Sequence, residues 1–350
     1  MTALSHEVDA MRRALLLAAE PQTQFRGNPR VGAVILSSSG EILGQGAHRG
    51  AGSSHAEVSA LADATESTVG ATAVVTLEPC AHTGRTGPCA EALISARISR
   101  VVFAQSDPNP VASGGARRLR EAGIAVVEGV LAQEALKLNE VWTFAVTHQR
   151  PYVTWKVATT LDGRIAATDG SSRWITGEQA RADVHEFRRT VDAVLVGHGT
   201  VIADDPHLTV RLDGQVLDRE FQPLRVVMGE SDLGNDYRIF DDAAETLWLP
   251  THSVDDALAA LHERGVRHVM LEGGATLAAA FLEAGAVNAV RWYVAPAILG
   301  AGRHAIEDFG AQSIADVLRL TDVRTSPMGS DVCVTGLIST AGSKGSREMH

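Results

Sequence analysis

His55-Ala56-Glu57-Val58, followed by Thr76-Leu77-Glu78-Pro79-Cys80 and then Ala81-His82-Thr83-Gly84-Arg85-Thr86-Gly87-Pro88-Cys89, decides how this chain is read. One imidazole and two thiols supply the donors of a zinc site that keeps a position open for water. Thiolate is favoured where a ligand begins a helix, because the N-terminal dipole stabilises negative charge. Glu57, two residues from His55, can handle the protons of that water without ligating the metal. Two other readings of these residues stay open at this point. One is a closed structural site in which Glu57 or His82 is the fourth ligand. The other is a metal-free core with Cys80 and Cys89 as small buried hydrophobes. The local pattern places His55 at the start of a helix carrying Val58 and Leu61. It places Cys80 just beyond a strand at Ala73 to Leu77, and Cys89 at the start of a helix through Ser95. Ligands that gather where strands end and helices begin belong to an α/β layered sheet.

Working outward, Leu4, Val8, Met11, Leu15 and Ala18 predict an amphipathic helix from Ser5 to Glu20, stopped by Pro21. Val31 to Leu36 and Glu41 to Gly46 predict two strands joined by a turn. Beyond Cys89 come a strand at Arg100 to Ala104, a helix at Ala116 to Ala122 and a strand at Ile124 to Val127. A helix is expected over Ala132 to Val146, and the domain boundary is placed at Gln149-Arg150-Pro151. The second half predicts strands at Tyr152 to Ala158, Ala193 to Val196, Leu224 to Met228, His268 to Leu271, Arg291 to Val294 and Val332 to Leu337. Helices are expected at Gly177 to Thr190, Val254 to Arg264 and Ala275 to Ala284. Strands alternating with helices define α/β units, the second with a more mixed sheet. The domains are therefore set at residues 1–149 and 150–340, with a loose, disordered tail at 341–350 that has no apolar pattern.

Composition narrows the function classes. A length of 350 residues favours two cores over one. A net charge of -11 argues against a nucleic-acid binder, which needs a basic surface to displace counterions. A small-molecule substrate is the expectation. Cys80, Cys89 and Cys333 cannot build a disulfide framework and suit a reducing cytoplasm. No run approaches the roughly 18 apolar residues of a membrane span. Cys333, inside an apolar strand, is expected in the core. A homo-oligomer, dimer or tetramer, is also expected.

His-x-Glu with a downstream Pro-Cys and a second Cys is the signature of zinc nucleobase deaminases, in a form with about two residues between the cysteines. Here eight residues separate them, from Ala81 to Pro88. With Asn28-Pro29-Arg30-Val31-Gly32 and Asp107-Pro108-Asn109-Pro110, this spacing resembles the deaminase half of the bifunctional riboflavin-biosynthesis deaminase–reductase family. That family often reads Pro-Asn-Pro-Asn before Val-Gly, whereas this chain reads Gly27-Asn28-Pro29-Arg30 and keeps the asparagine. The resemblance implies a cytidine-deaminase-like α/β/α sandwich holding one Zn²⁺ through His55, Cys80 and Cys89, with Glu57 as proton shuttle. Its substrate would be a 2,5-diamino-6-ribosylamino-pyrimidinone 5′-phosphate, met by Asn28, His82, Arg85 and Thr86.

In the second half, Gly197-His198-Gly199 follows a strand but lacks the third glycine of a dinucleotide fingerprint, and is rejected as one. Glu272-Gly273-Gly274-Ala275-Thr276, between a strand and a helix, is either a phosphate cradle or an ordinary tight turn. The motifs Lys156-Val157-Ala158, Leu161-Asp162-Gly163-Arg164-Ile165-Ala166, Ser172-Arg173-Trp174, Ala203-Asp204-Asp205-Pro206 and Leu208-Thr209-Val210-Arg211 resemble the reductase half of the same family. That half is similar in fold to dihydrofolate reductase, and its implied reaction is NADPH-dependent reduction of a ribosyl to a ribityl group. Carried over, NADPH would meet Ala158, Trp174, Thr200, Asp204 and the run Gly274, Ala275, Thr276, Leu277, Ala278, Ala279 and Ala280. Ser172, Leu208, Arg211 and Glu272 would meet substrate, and Lys156 and Asp204 would polarise or protonate the reacting sugar. The competing readings are a single-function zinc deaminase with a non-catalytic ligand-binding second half, a structural zinc module, and an RNA-editing deaminase.

Overall fold

The computed structural model describes residues 2–20, 27–50, 52–82 and 87–338. Pro21, Arg85, Thr86 and the tail at 341–350 lie outside the described residues. The chain divides into two compact units, Met1–His148 and Gln149–His350.

In order, the first unit comprises α1 (Ser5–Ala19), β1 (Gly32–Leu36), β2 (Ile42–Ala47), α2 (Ala56–Asp63), β3 (Thr72–Leu77) and α3 (Cys89–Ser95). It continues with β4 (Arg100–Gln105), α4 (Gly115–Glu121), β5 (Ala125–Glu128), α5 (Ala132–Leu138) and α6 (Glu140–His148). Its sheet runs β2-β1-β3-β4-β5, with β1 antiparallel to β2 and β3, and β3, β4 and β5 parallel. Side chains alternate along each strand, so β1 sends Ala33 and Ile35 to one face and Val34 and Leu36 to the other. The first face packs on Ala56 and Ala60 of α2, Leu93 of α3 and Leu119 of α4. The second packs on Met11 and Ala14 of α1 and Ala135 of α5. With both faces covered, all of β1 is buried. This is an α/β/α sandwich.

The single helix expected over Ala132 to Val146 is corrected to two, α5 and α6, interrupted at Asn139. Asn139 is buried, and its amide donates to the Arg30 carbonyl (2.9 Å) while its oxygen accepts from the Arg30 N–H (2.7 Å). That tertiary pair outweighs helical continuation at Asn139, a residue that readily leaves helical geometry.

The second unit comprises β6 (Tyr152–Thr160), β7 (Arg164–Ala166), α7 (Glu178–Arg189), β8 (Ala193–Gly197), α8 (His198–Asp204), β9 (Arg211–Leu212) and β10 (Gln215–Val216). Then follow β11 (Leu224–Met228), β12 (Thr246–Leu249), α9 (Val254–Glu263), β13 (His268–Leu271) and α10 (Ala275–Glu283). It closes with β14 (Ala289–Ala295), β15 (Arg303–His304), β16 (Leu320–Met328) and β17 (Asp331–Ile338). The main sheet has eight strands in the order β12-β11-β8-β13-β6-β14-β17-β16. From β12 through β14 the neighbours are parallel, and β17 and β16 add antiparallel pairs at one edge. Leu258 and Leu261 of α9 and Phe281 of α10 cover one face. Ala180 and Val184 of α7 and Val201 of α8 cover the other. Cys333 is buried in that second core.

The sequence reading lacks α8, β12, β16 and the short strands β7, β9, β10 and β15. The edge strand β16 is exposed over nearly its whole length, so no apolar alternation marks it and backbone pairing to β17 holds it.

Candidate active sites

In the first unit the ends of three elements converge. His55 is the extended residue that caps α2, Cys80 follows β3, and Cys89 opens α3. His55 Nδ1 lies 3.1 Å from Cys89 Sγ and 3.6 Å from Cys80 Sγ, and all three donor atoms fall within 4.8 Å of one another. A tetrahedral zinc with ordinary bond lengths separates its nitrogen and sulfur ligands by about 3.5–3.8 Å. The His55–Cys80 pair has that spacing and the His55–Cys89 pair is about 0.4 Å short of it, so the three side chains fit the ion with a small opening of the second pair.

Their electrostatics ask for a cation as well. Hydrogen bonding from Cys89 holds the Cys80 thiol below the usual thiol range, opposed by burial, while the same contact and burial push Cys89 above it. Two thiols in one pocket ionise together only when a positive charge sits between them. Glu57, buried on the first turn of α2, is pushed up to about 7 by burial.

Close backbone approach builds this geometry. A Cβ on Gly44 would lie 2.4 Å from Ala60 O, and one on Gly46 would lie 2.6 Å from Ala60 N, so glycines let β2 seat α2 and with it His55. A Cβ on Gly115 would lie 1.7 Å from Pro79 O, so α4 presses directly on the segment bearing Cys80. Glu78, unremarked as a site residue in the sequence, accepts from the N–H groups of Asp107 (3.2 Å), Gly114 (3.2 Å) and Ala116 (3.0 Å) and ties the Asp107-Pro108-Asn109-Pro110 loop to Cys80. Burial pushes Asp107 up to about 6. His82 has a buried Nδ1 with no hydrogen-bond partner among the described residues. Asn28 is half-buried on the segment that Asn139 anchors.

In the second unit Glu272, just beyond β13, lies between two cations. Arg188 donates from Nε (3.0 Å) and a terminal nitrogen (2.6 Å) to one carboxylate oxygen, and Lys156 Nζ is 3.3 Å from the other. Burial alone would raise Glu272, but the two cations overcome it and hold the carboxyl down to about 2. Arg188 also donates to Thr209 O (2.8 Å), linking Glu272 to the segment before Arg211. Arg188 was missed in the sequence, although it interrupts the apolar stripe Ala180, Val184, Arg188 along α7. An arginine inside a buried stripe needs a buried partner.

Asp204 ends α8, its carboxylate 3.4 Å from Ser172 Oγ and its carbonyl accepting from Arg173 (2.5 Å). Trp174 is 70% exposed, with the Arg181 guanidinium 4.6 Å above its ring. Ala158 packs at the edge of the core under α7, and Arg211 is exposed. The Leu208 side chain is buried in that core, so any ligand contact there falls to its backbone. Of Gly274 to Ala280, only Gly274 precedes α10, and Ala278 and Ala279 face the core. The exposed donors are the first-turn amides near Gly274. Thr200 Oγ1 approaches the position of a Cβ on Gly274 at 3.8 Å, so the starts of α8 and α10 lie side by side. Gly197-His198-Gly199 lies at the junction of β8 and α8, and is not a three-glycine loop.

Comparisons with known proteins follow this division. Residues 4–105 match the cytidine and deoxycytidylate deaminase zinc-binding region, and residues 151–334 match the RibD C-terminal domain. The riboflavin biosynthesis protein RibD of Mycobacterium tuberculosis is 46% identical over 336 residues, covering 94% of this chain and 98% of that protein. RibD of Escherichia coli is 39% identical over 357 residues, covering 93% and 97%. The solved structure of Acinetobacter baumannii RibD superposes with a TM-score of 0.89 at 37% identity, covering 97% of this chain and all of that one (100%). That of a diaminohydroxyphosphoribosylaminopyrimidine deaminase/5-amino-6-(5-phosphoribosylamino)uracil reductase from Thermotoga maritima gives 0.84 at 35% identity, covering 95% and 99%. With a zinc-binding deaminase region in one unit and a reductase domain in the other, the chain belongs to the RibD family of bifunctional riboflavin-biosynthesis enzymes, which use Zn²⁺ and NADPH.

Proposed function

We propose that residues 1–149 hydrolytically deaminate 2,5-diamino-6-(5-phosphoribosylamino)pyrimidin-4(3H)-one, and that residues 150–340 then reduce the ribosyl group of the aminouracil product to ribityl. The observation that carries the first step is the cluster of His55, Cys80 and Cys89 with the buried Glu57 beside it. His55, Cys80 and Cys89 would hold the zinc. The bound cation supplies Lewis acidity that makes water nucleophilic near neutral pH. Glu57 accepts one proton from the attacking water and delivers it to a ring nitrogen, then takes the second from the newly formed hydroxyl and passes it to the departing amine, which leaves as ammonia. Its buried carboxyl, near 7, is suited to passing a proton both ways. Asn28 and His82, whose buried Nδ1 has no partner among the described residues, would meet the pyrimidine, with Arg85 and Thr86 toward its phosphate.

In the second unit the amides at the start of α10, with Ala158, Trp174, Thr200 and Asp204, would receive the cofactor. NADPH supplies the hydride when bound. Lys156, oriented by Glu272, polarises or protonates the reacting sugar together with Asp204. Ser172, Arg211 and the backbone at Leu208 meet the substrate, and Glu272 acts at its edge. The enzyme works in the cytoplasm as a homo-oligomer, dimer or tetramer, on a small phosphorylated pyrimidine and not on nucleic acid. The net charge of -11 supports a small-molecule substrate over nucleic acid, three unpaired cysteines support the cytoplasm, and no described helix is long and apolar enough to cross a membrane.

Glu57→Gln tests the first half. Zinc content stays at wild-type level and ammonia release is lost, while NADPH oxidation continues on supplied aminouracil substrate. Unchanged ammonia release would remove Glu57 from the mechanism. Ammonia release by the wild type without any NADPH oxidation would leave a single-function deaminase.

A further inference from the structure

The motif Leu161-Asp162-Gly163-Arg164 takes no part in the steps above, yet its two charged side chains both bind the strap that leaves β14 and runs to Glu307. The Asp162 carboxylate accepts from the Thr160 hydroxyl (2.6 Å) and from the N–H groups of Leu299 (3.0 Å) and Gly300 (2.7 Å). These donors hold its carboxyl well below the usual carboxylate range. Arg164 donates to the carbonyls of Gly300 (3.0 Å) and Gly302 (3.1 Å), and lies 2.6 Å from His304 Nε2.

The backbone adds to the clamp. Leu161 N–H donates to Ala297 O, Ala305 N–H donates to Gly163 O, and β15 pairs with β7. Gly302 has φ +126°, and a Cβ there would lie 2.1 Å from Ala166 O, so the strap lies directly against β7. Its far end reaches the start of α10. Thr276 Oγ1 donates to the Glu307 carboxylate (3.0 Å), and Glu307 N–H faces Ala275 O at 3.5 Å.

We infer that Asp162 and Arg164 are positioning residues for NADPH, which they serve by holding the strap from Ala295 to Glu307 as a wall of the cradle at the start of α10. The inference rests on the assignment of Gly274 to Ala280 to the cofactor. A loop stays in place beside a ligand only when its backbone is tied down, and here two charged side chains tie it.

The test uses the full-length enzyme carrying Asp162→Asn or, separately, Gly302→Ala, which displaces the strap without removing charge. NADPH dissociation constant, KM, kcat and ammonia release are measured on each. Either substitution, by loosening or displacing the strap, raises the NADPH dissociation constant and KM about tenfold. At saturating NADPH kcat stays within about twofold of wild type, and ammonia release is unchanged. NADPH affinity unchanged in both variants, or kcat lowered at constant KM, overturns the inference. Gly274→Glu separates it from the cradle assignment, since Gly274 has ordinary backbone geometry and room for a side chain. If Gly274→Glu binds NADPH normally, the cradle is wrong and the strap inference goes with it. If it abolishes binding while the two strap variants change nothing, the cradle stands and the strap inference fails.

Discussion

Glu272 is a carboxylate whose removal costs more than its own contacts. With Arg188 and Lys156 both turned toward it, Glu272→Gln would leave two buried cations without a counter-charge. Breaking such a pair costs about 3 kcal/mol. The expected result is a lower unfolding midpoint for the second unit, loss of NADPH oxidation and preserved ammonia release, read by denaturant titration and two activity assays. The same residue gives acid sensitivity with a definite sign. Glu272 titrates near 2 in the fold against an ordinary 4.5, so its stabilisation is complete above pH 4.5 and disappears as pH falls through about 2. His268 acts in the same direction at milder acidity. Burial holds it down to about 4, so below its ordinary 6.5 the unfolded chain takes up a proton that the fold refuses. Thermal unfolding followed from pH 7 downward should show stability declining from about pH 6.5. Burial holds His185 down to about 4 as well, so His268→Asn should make the decline shallower without removing it, and an unchanged pH profile would exclude His268 as a source.

At the scale of elements, the break between α5 and α6 has a purpose that the helical pattern hides. Asn139 leaves the helix to hold both backbone groups of Arg30, next to the segment carrying Asn28. Asn139→Ala removes two buried hydrogen bonds, about 2 kcal/mol in stability. It should raise KM for the pyrimidine more than it lowers kcat, because the segment shifts while Glu57 and the zinc ligands on other elements stay put. A fall in kcat at constant KM would place Asn139 elsewhere in the mechanism. The starts of α2, α3, α8 and α10 all lie beside strand ends, which is why both proposed sites form there.

At the scale of the whole molecule, the two units carry separable chemistry on one chain. Removing zinc with a chelator should abolish ammonia release and leave NADPH oxidation intact when the deaminated aminouracil is supplied. Readdition of Zn²⁺ should restore the first activity. A parallel loss of both activities on chelation would show that the second reaction depends on the metal centre, against the division proposed above.

The sequence by itself determined what depends on local periodicity and on chemically rare residues. The apolar run at Val31 to Leu36, the helix start at Cys89 and the spacing of His55, Glu57, Cys80 and Cys89 are local facts, and they sufficed for the α/β class and for proposing the zinc donors. Element boundaries in buried strands were legible because both faces are apolar. What depends on distant partners was not legible. Arg188 reads as surface charge until α7 is laid against Glu272, and Asn139 reads as helix interior until Arg30 is beside it. Strand β16 carries no sign in the sequence that it is a strand. Only the tertiary structure decided these, because a buried charge, a broken helix and an edge strand are each stabilised by groups far away in the chain, which local pattern does not encode.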